Sequence, residues 1–93
     1  MLSNEQVTEA ERERLVILME ECGEVFQACS KIIRHGWDGV YPDGTGNTEW
    51  LRNEIDDVLG MIWAMEDLGD ISGPIHSVEE VWERKKRWMH HQG

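Results

Sequence analysis

Ninety-three residues make one domain, residues 1–93, near the lower end of what folds alone, and the 40% hydrophobic content argues for a packed core. Nineteen Asp and Glu against nine Lys and Arg leave a net charge of −10. That excess disfavours a nucleic-acid polymer or an anionic membrane as partner, and it admits a free nucleotide only with a cation between.

The N-terminal "MLSNEQVTEAERER" lacks the basic-then-apolar order of a signal peptide. No run of about 18 apolar residues occurs anywhere, so no membrane-spanning helix is expected. The first helix is expected over about residues 5–34, opened by a capping-box pattern from Ser3 to Gln6. Leu15, Leu18, Cys22, Val25, Cys29 and Ile32 recur at helical spacing and form one apolar stripe. Cys22 and Cys29 lie about 10 Å apart along such a helix, too far for a disulfide, and are expected as buried free thiols. Reduced cysteines point to the cytoplasm. Gly36 supplies the stop.

"GWDGVYPDGTGN", residues 36–47, reads as a loop from its glycines, proline and two Asp-Gly pairs. It is long for a connection in a small domain, and loops of that length often carry function. A second helix follows over about residues 47–68, with Asn47 or Thr48 as N-cap and Leu51, Ile55, Val58, Ile62 and Met65 as its stripe. "GDISGP" breaks it. A third helix over about residues 75–90 starts with the capping box Ser77 to Glu80 and ends in the basic run "ERKKR", where positive charge suits the helix dipole. Trp63, Trp82 and Trp88 are assigned to a core or an interface. The fold class is all-α, an antiparallel helical bundle. Ile17, Met19, Phe26 and Ile33 on the first helix and Leu59, Met61 and Trp63 on the second are more apolar surface than one chain can bury. Completion by a second copy, as a homodimer or homotetramer, is therefore expected.

Carboxylates line both long helices beside their stripes. Glu21 and Glu24 stand one turn apart on the first, and Glu54 and Asp57 one turn apart on the second. Antiparallel packing lets the pairs meet. Four converging carboxylates repel, so either their pKa values rise or cations sit between them. All-oxygen ligands without histidine or thiolate suit Mg²⁺, with Mn²⁺ as a substitute. The plain alternative is a solvated helix border. The Glu-x-x-His of di-iron bundles is absent, and the four histidines show no ligand spacing with the acids.

"EECGE" followed by "EIDD", with "SKIIRHG" after the first motif and "LRNEIDDVLGMI" around the second, resembles the signature of MazG-like, all-α nucleoside triphosphate pyrophosphohydrolases. The similarity spans about residues 15–68 and is greatest to small single-domain phage or bacterial members. It implies Mg²⁺-dependent hydrolysis of a nucleoside triphosphate to the monophosphate and pyrophosphate. It implies Glu21, Glu24, Glu54 and Asp57 as metal ligands, and Glu20 as a supporting ligand or the group that orients the attacking water. The family often carries glycine where this chain has Asp56, an added charge expected to face solvent. Lys31 and Arg34 follow the Glu21/Glu24 row toward the helix end and are candidates for the β- and γ-phosphates. They equally read as cations favoured by the helix dipole. Asn47 and Asn53 are candidates for sugar or phosphate, Asn47 equally for a cap. Trp37, Tyr41 and Trp50 cluster around the loop and are candidates for stacking on a base, or for packing. Two other readings stay open: a non-catalytic helical binding or adaptor module, and a hydrolase of another pyrophosphate-linked nucleotide such as an alarmone.

Overall fold

The computed structural model describes residues 6–92. Three helices follow one another, α1 (Glu9–His35), α2 (Asn47–Asp67) and α3 (Val78–Lys86), with no strand among the described residues. The class is therefore all-α. No helix among them is long and apolar enough to cross a membrane.

α1 begins later than residue 5. Thr8 is its N-cap, accepting from the Glu11 backbone N–H, while the Glu11 carboxylate accepts from the Thr8 N–H at 2.8 Å. That reciprocal pair satisfies two donors that a helix start leaves open. The earlier box expected at Ser3 involves a residue outside the described ones. Gly36 ends α1 at φ 86°, a left-handed value that costs glycine little, and its N–H returns to the Ile32 carbonyl. α2 starts at Asn47 with Gly46 as N-cap and no side-chain cap, so neither Asn47 nor Thr48 caps it. α3 is shorter than the expected 75–90, but Ser77 does cap it through the Glu80 N–H.

α1 and α2 pack as an antiparallel hairpin tied at both ends. Near the start of α1, the Arg14 guanidinium grips Asp70, just beyond α2, through two bonds of 2.5 and 2.8 Å. At the other end Asn47 is 3% exposed, and its side-chain N–H donates to the Gly36 carbonyl at 3.0 Å. Ala28, Ile32 and Met65 are the buried apolar side chains among the described residues. The line of α1 against α2 runs through Arg14, Leu18, Glu21, Val25, Ala28 and Ile32, with Leu15, Cys22 and Cys29 turned outward. The cysteines are free, as expected, but exposed rather than buried. The apolar stripe read from sequence merged two neighbouring rows, and the second of these faces out. Leu15, Met19, Phe26 and Ile33 lie exposed on that row, as do Leu59 and Trp63 on the same side of α2. Trp63, Trp82 and Trp88 are likewise exposed and form no core within the chain.

The eleven-residue connection folds on itself. Val40 bridges Gly46, the Tyr41 N–H donates to the Thr45 carbonyl, and Gly44 turns at φ 91°. Asp43 accepts from the Thr45 N–H, which holds its carboxyl below the usual carboxylate range. α3 touches neither α1 nor α2 among the described residues. The Cα radius of gyration is accordingly 16.9 Å, against about 12 Å for a tightly folded chain of this length.

Candidate metal centre

The hairpin has two unlike flanks. On one lie the outward apolar rows. On the other lie Glu24 on α1 and Asp57 on α2, both exposed, with Glu21 and Glu54 on the packed lines beside them. Antiparallel packing brings the two sets together midway along the hairpin. One carboxylate oxygen each from Glu21, Glu54 and Asp57 lie within 4.8 Å of one another. Their surroundings grade from inside to outside: Glu54 is only 8% exposed, Glu21 is half-buried, and Asp57 is exposed.

Three acids so close distort one another. Burial is the largest cause pushing Glu54 above its ordinary 4.5, with the charges of Glu24, Asp57 and Glu21 adding to it. Glu21 is raised in the same direction, first by desolvation and then by Asp57, Glu24 and Glu20. No Lys or Arg answers them among the described residues. Arg14 is taken by Asp70, Arg52 by Asp56, and Lys86 by Glu83. A carboxylate as buried as Glu54 with no cationic partner is a costly arrangement.

Each sequence-expected site residue has a definite place. Glu21, Glu54 and Asp57 converge. Glu24 stays outside that group, though near enough for its charge to act on both Glu21 and Glu54. Glu20 is exposed, and its charge adds to the upward shift of Glu21. Asp56 faces water and pairs with Arg52 at 2.9 Å, so the extra charge lies away from the triad. Asn53 is exposed, one turn before Asp57 on α2. The side chain of Arg34 folds back on its own helix, its Nε donating to the Ser30 carbonyl at 3.3 Å. Trp37 is 63% exposed and stands apart, its carbonyl accepting from the Thr48 hydroxyl. Asn47 is bound up in closing the loop onto α1, as described above.

At the loop end of the acidic flank a second cluster forms. The rings of Tyr41 and Trp50 stack with centroids 4.7 Å apart, and the Lys31 ammonium sits 5.2 Å from the centre of the Tyr41 ring. Behind Tyr41 lies a pocket of about 250 Å³ lined by Lys31, His35, Gly39, Val40, Pro42 and Asn47. Sequence reasoning grouped Tyr41 and Trp50 but gave no hint that Lys31 joins them. It missed the Arg14–Asp70 clamp altogether, since residues 56 apart carry no local signal.

The triad's donor set fits a hard divalent ion. Oxygens around a six-coordinate Mg²⁺ lie up to about 4 Å apart, so the observed spacing needs only a small side-chain adjustment. Glu54, held by burial, would be the inner ligand of such an ion, and the exposed Asp57 leaves the opposite side open to water. No family model, no curated protein and no solved structure matches the chain.

Proposed function

We propose that the chain is a Mg²⁺-dependent nucleoside triphosphate pyrophosphohydrolase of the MazG-like kind, working as a homo-oligomer in the cytoplasm. One observation carries the reading: Glu54, nine-tenths buried, faces two further carboxylates with no Lys or Arg paired to it among the described residues. A buried charge left in that state is explained by a ligand that neutralises it. The sequence resemblance places metal ligands at the same three positions, and at Glu24.

Glu21, Glu54 and Asp57 would hold the ion. When bound, it supplies positive charge for phosphate oxygens and a more acidic water. The chain's own groups do the rest. Glu24, beside the triad but outside it, would complete the ligand set or take the proton of the water that attacks the α-phosphorus. Glu20, in bulk water one residue from Glu21, supports that position. Lys31 lies about 10 Å along α1 from Glu24, on the side of the departing pyrophosphate or of the base. The Tyr41–Trp50 stack closes that end and offers an aromatic edge to a nucleobase. The outward apolar rows of α1 and α2 are covered by a second copy.

The test is pyrophosphate release from a panel of nucleoside triphosphates with Mg²⁺ and with Mn²⁺. Glu54→Gln and Asp57→Asn are expected to abolish release while far-UV circular dichroism stays that of the wild type. Full activity in both folded variants rules the site out. Bound Mg²⁺ with no turnover of any nucleotide favours the adaptor reading instead.

A further inference from the structure

α3 is an isolated element with reasons not to be. Nine residues are too few for a stable helix in water, where about 12–15 are needed even for good sequences. Ser77 caps it, acids fill its first turn and bases its last, yet these are tenths of a kcal/mol each. It needs a surface. Val78, Val81 and Trp82 follow i, i+3, i+4 spacing and give it an apolar side, on which Val78 is 77% and Trp82 47% exposed. Trp88, just past its end, is 80% exposed. Its own hairpin provides no cover.

The hairpin presents the complementary deficit. Between α1 and α2, on the flank away from the acids, runs a groove of about 190 Å³ lined by Cys22, Val25, Ile55, Val58 and Leu59, with almost no polar surface. Charge points the same way. Residues 6–67 carry fourteen Asp and Glu against five Lys and Arg, whereas Arg84, Lys85, Lys86 and Arg87 stand in a row at the end of α3. Area points to a large interface. The chain exposes 7698 Å², about 2,000 Å² more than a folded monomer of this size should. A standard interface takes only about 800 Å² from each partner. Face-to-face pairing of two hairpins alone would leave α3 and its tryptophans in water.

We infer that α3 is an exchange arm: it docks in the Cys22–Leu59 groove of a second copy, while the second copy's arm docks in this one. The inference rests on the self-association reading and specifies its surface. Residues 68–77 form the strap, ten residues that can span about 33 Å when extended, and Gly69 at φ 85° turns the chain out of α2. Reciprocal exchange about a two-fold axis closes the assembly at two copies. The basic row, one of whose cations Glu83 already pairs, then approaches a partner hairpin of net negative charge, a long-range attraction and not a contact within the groove.

Cys22 in the groove gives a direct readout. In full-length protein carrying Cys29→Ser and Val78→Cys, mild oxidation should link the introduced thiol to Cys22 between chains, located by mass spectrometry of the disulfide-bonded peptides. In sedimentation experiments the wild type should be a dimer at micromolar concentration. Trp82→Glu should weaken that dimer at least tenfold and leave the helical signal of the hairpin in place. A wild-type monomer at those concentrations defeats the self-association reading and the arm together. A dimer that survives Trp82→Glu, or links found only between two Cys22 thiols or within one chain, overturns the arm and leaves self-association standing.

Discussion

Replacing Glu54 by glutamine preserves the side chain's volume and removes one charge from the triad. In the folded protein Glu54 has Glu21 and Asp57 oxygens within 4.8 Å. At that separation and an effective dielectric of about 20, one like-charged pair costs about 3.5 kcal/mol before screening. Water reaches the Asp57 side, so the realised gain on removing the charge is nearer about 1 kcal/mol. For a chain this short, that raises Tm by about 4–8 °C. The assay is a melt at pH 8 and low salt, in chelator and in Mg²⁺. In chelator Glu54→Gln should melt above the wild type. With Mg²⁺ at about ten times its Kd the wild type should gain about 1.4 kcal/mol, and the variant should lose most of that response. The order therefore reverses or closes on adding the ion. A variant that melts below the wild type in chelator, or a wild type indifferent to Mg²⁺, refutes the reasoning, because the triad would then be neither repulsive nor ion-binding.

The same groups set a pH dependence. Glu21 and Glu54 titrate above 4.5 in the folded state, so protonation favours folding: their cost is in force at neutral pH and is relieved as pH falls through the raised values toward 4.5. Asp70 is held below 3.8 by Arg14, so its contribution is present above 3.8 and is lost as pH falls through the lower folded value. Metal-free Tm should accordingly rise from pH 8 toward pH 4.5 and drop below pH 3.8; a flat or falling profile over the first range counts against the acid cluster. Asp70→Asn should lower Tm and blunt the acid-side drop, since it removes the charge that Arg14 holds; an unchanged melt means the clamp is idle. Gly39→Ala places a Cβ 2.6 Å from the Asn47 side-chain nitrogen and 3.2 Å from the His35 carbonyl oxygen. That nitrogen is tied to Gly36 and cannot retreat freely, so a cost of about 1–3 kcal/mol is expected by chemical denaturation. A neutral Gly39→Ala means the loop is not closed this way.

Helix class, element order and the stop at Gly36 were legible because periodicity, capping boxes and glycine are local signals. The phase of α1 was not. A heptad-like run of Leu15, Cys22 and Cys29 looked like the core, yet the smaller Ala28, 1% exposed, is what α2 packs against. Which of two apolar rows faces inward depends on the partner helix, and a single helix's sequence does not contain that choice. The site divides in the same way. The double acidic motif picked out acids on both helices, and antiparallel packing brings one oxygen from each of three of the four within 4.8 Å of one another. That Glu54 is the buried one and Glu24 the outer one depends on the rotation of each helix. The Lys31–Tyr41–Trp50 cluster needed the fold of the loop, which no spacing rule encodes.

Fastening the hairpin at both ends has a mechanical consequence. The Arg14–Asp70 grip and the Asn47–Gly36 tie fix how α1 and α2 line up lengthwise, while the mutual repulsion of the acids acts at mid-span. Strain of that kind would act to spread the two rods at their centre without sliding them. Neutralising the acids, by protons or by an added cation, should then be felt as a change in the gap between the rods, with the terminal fastenings undisturbed.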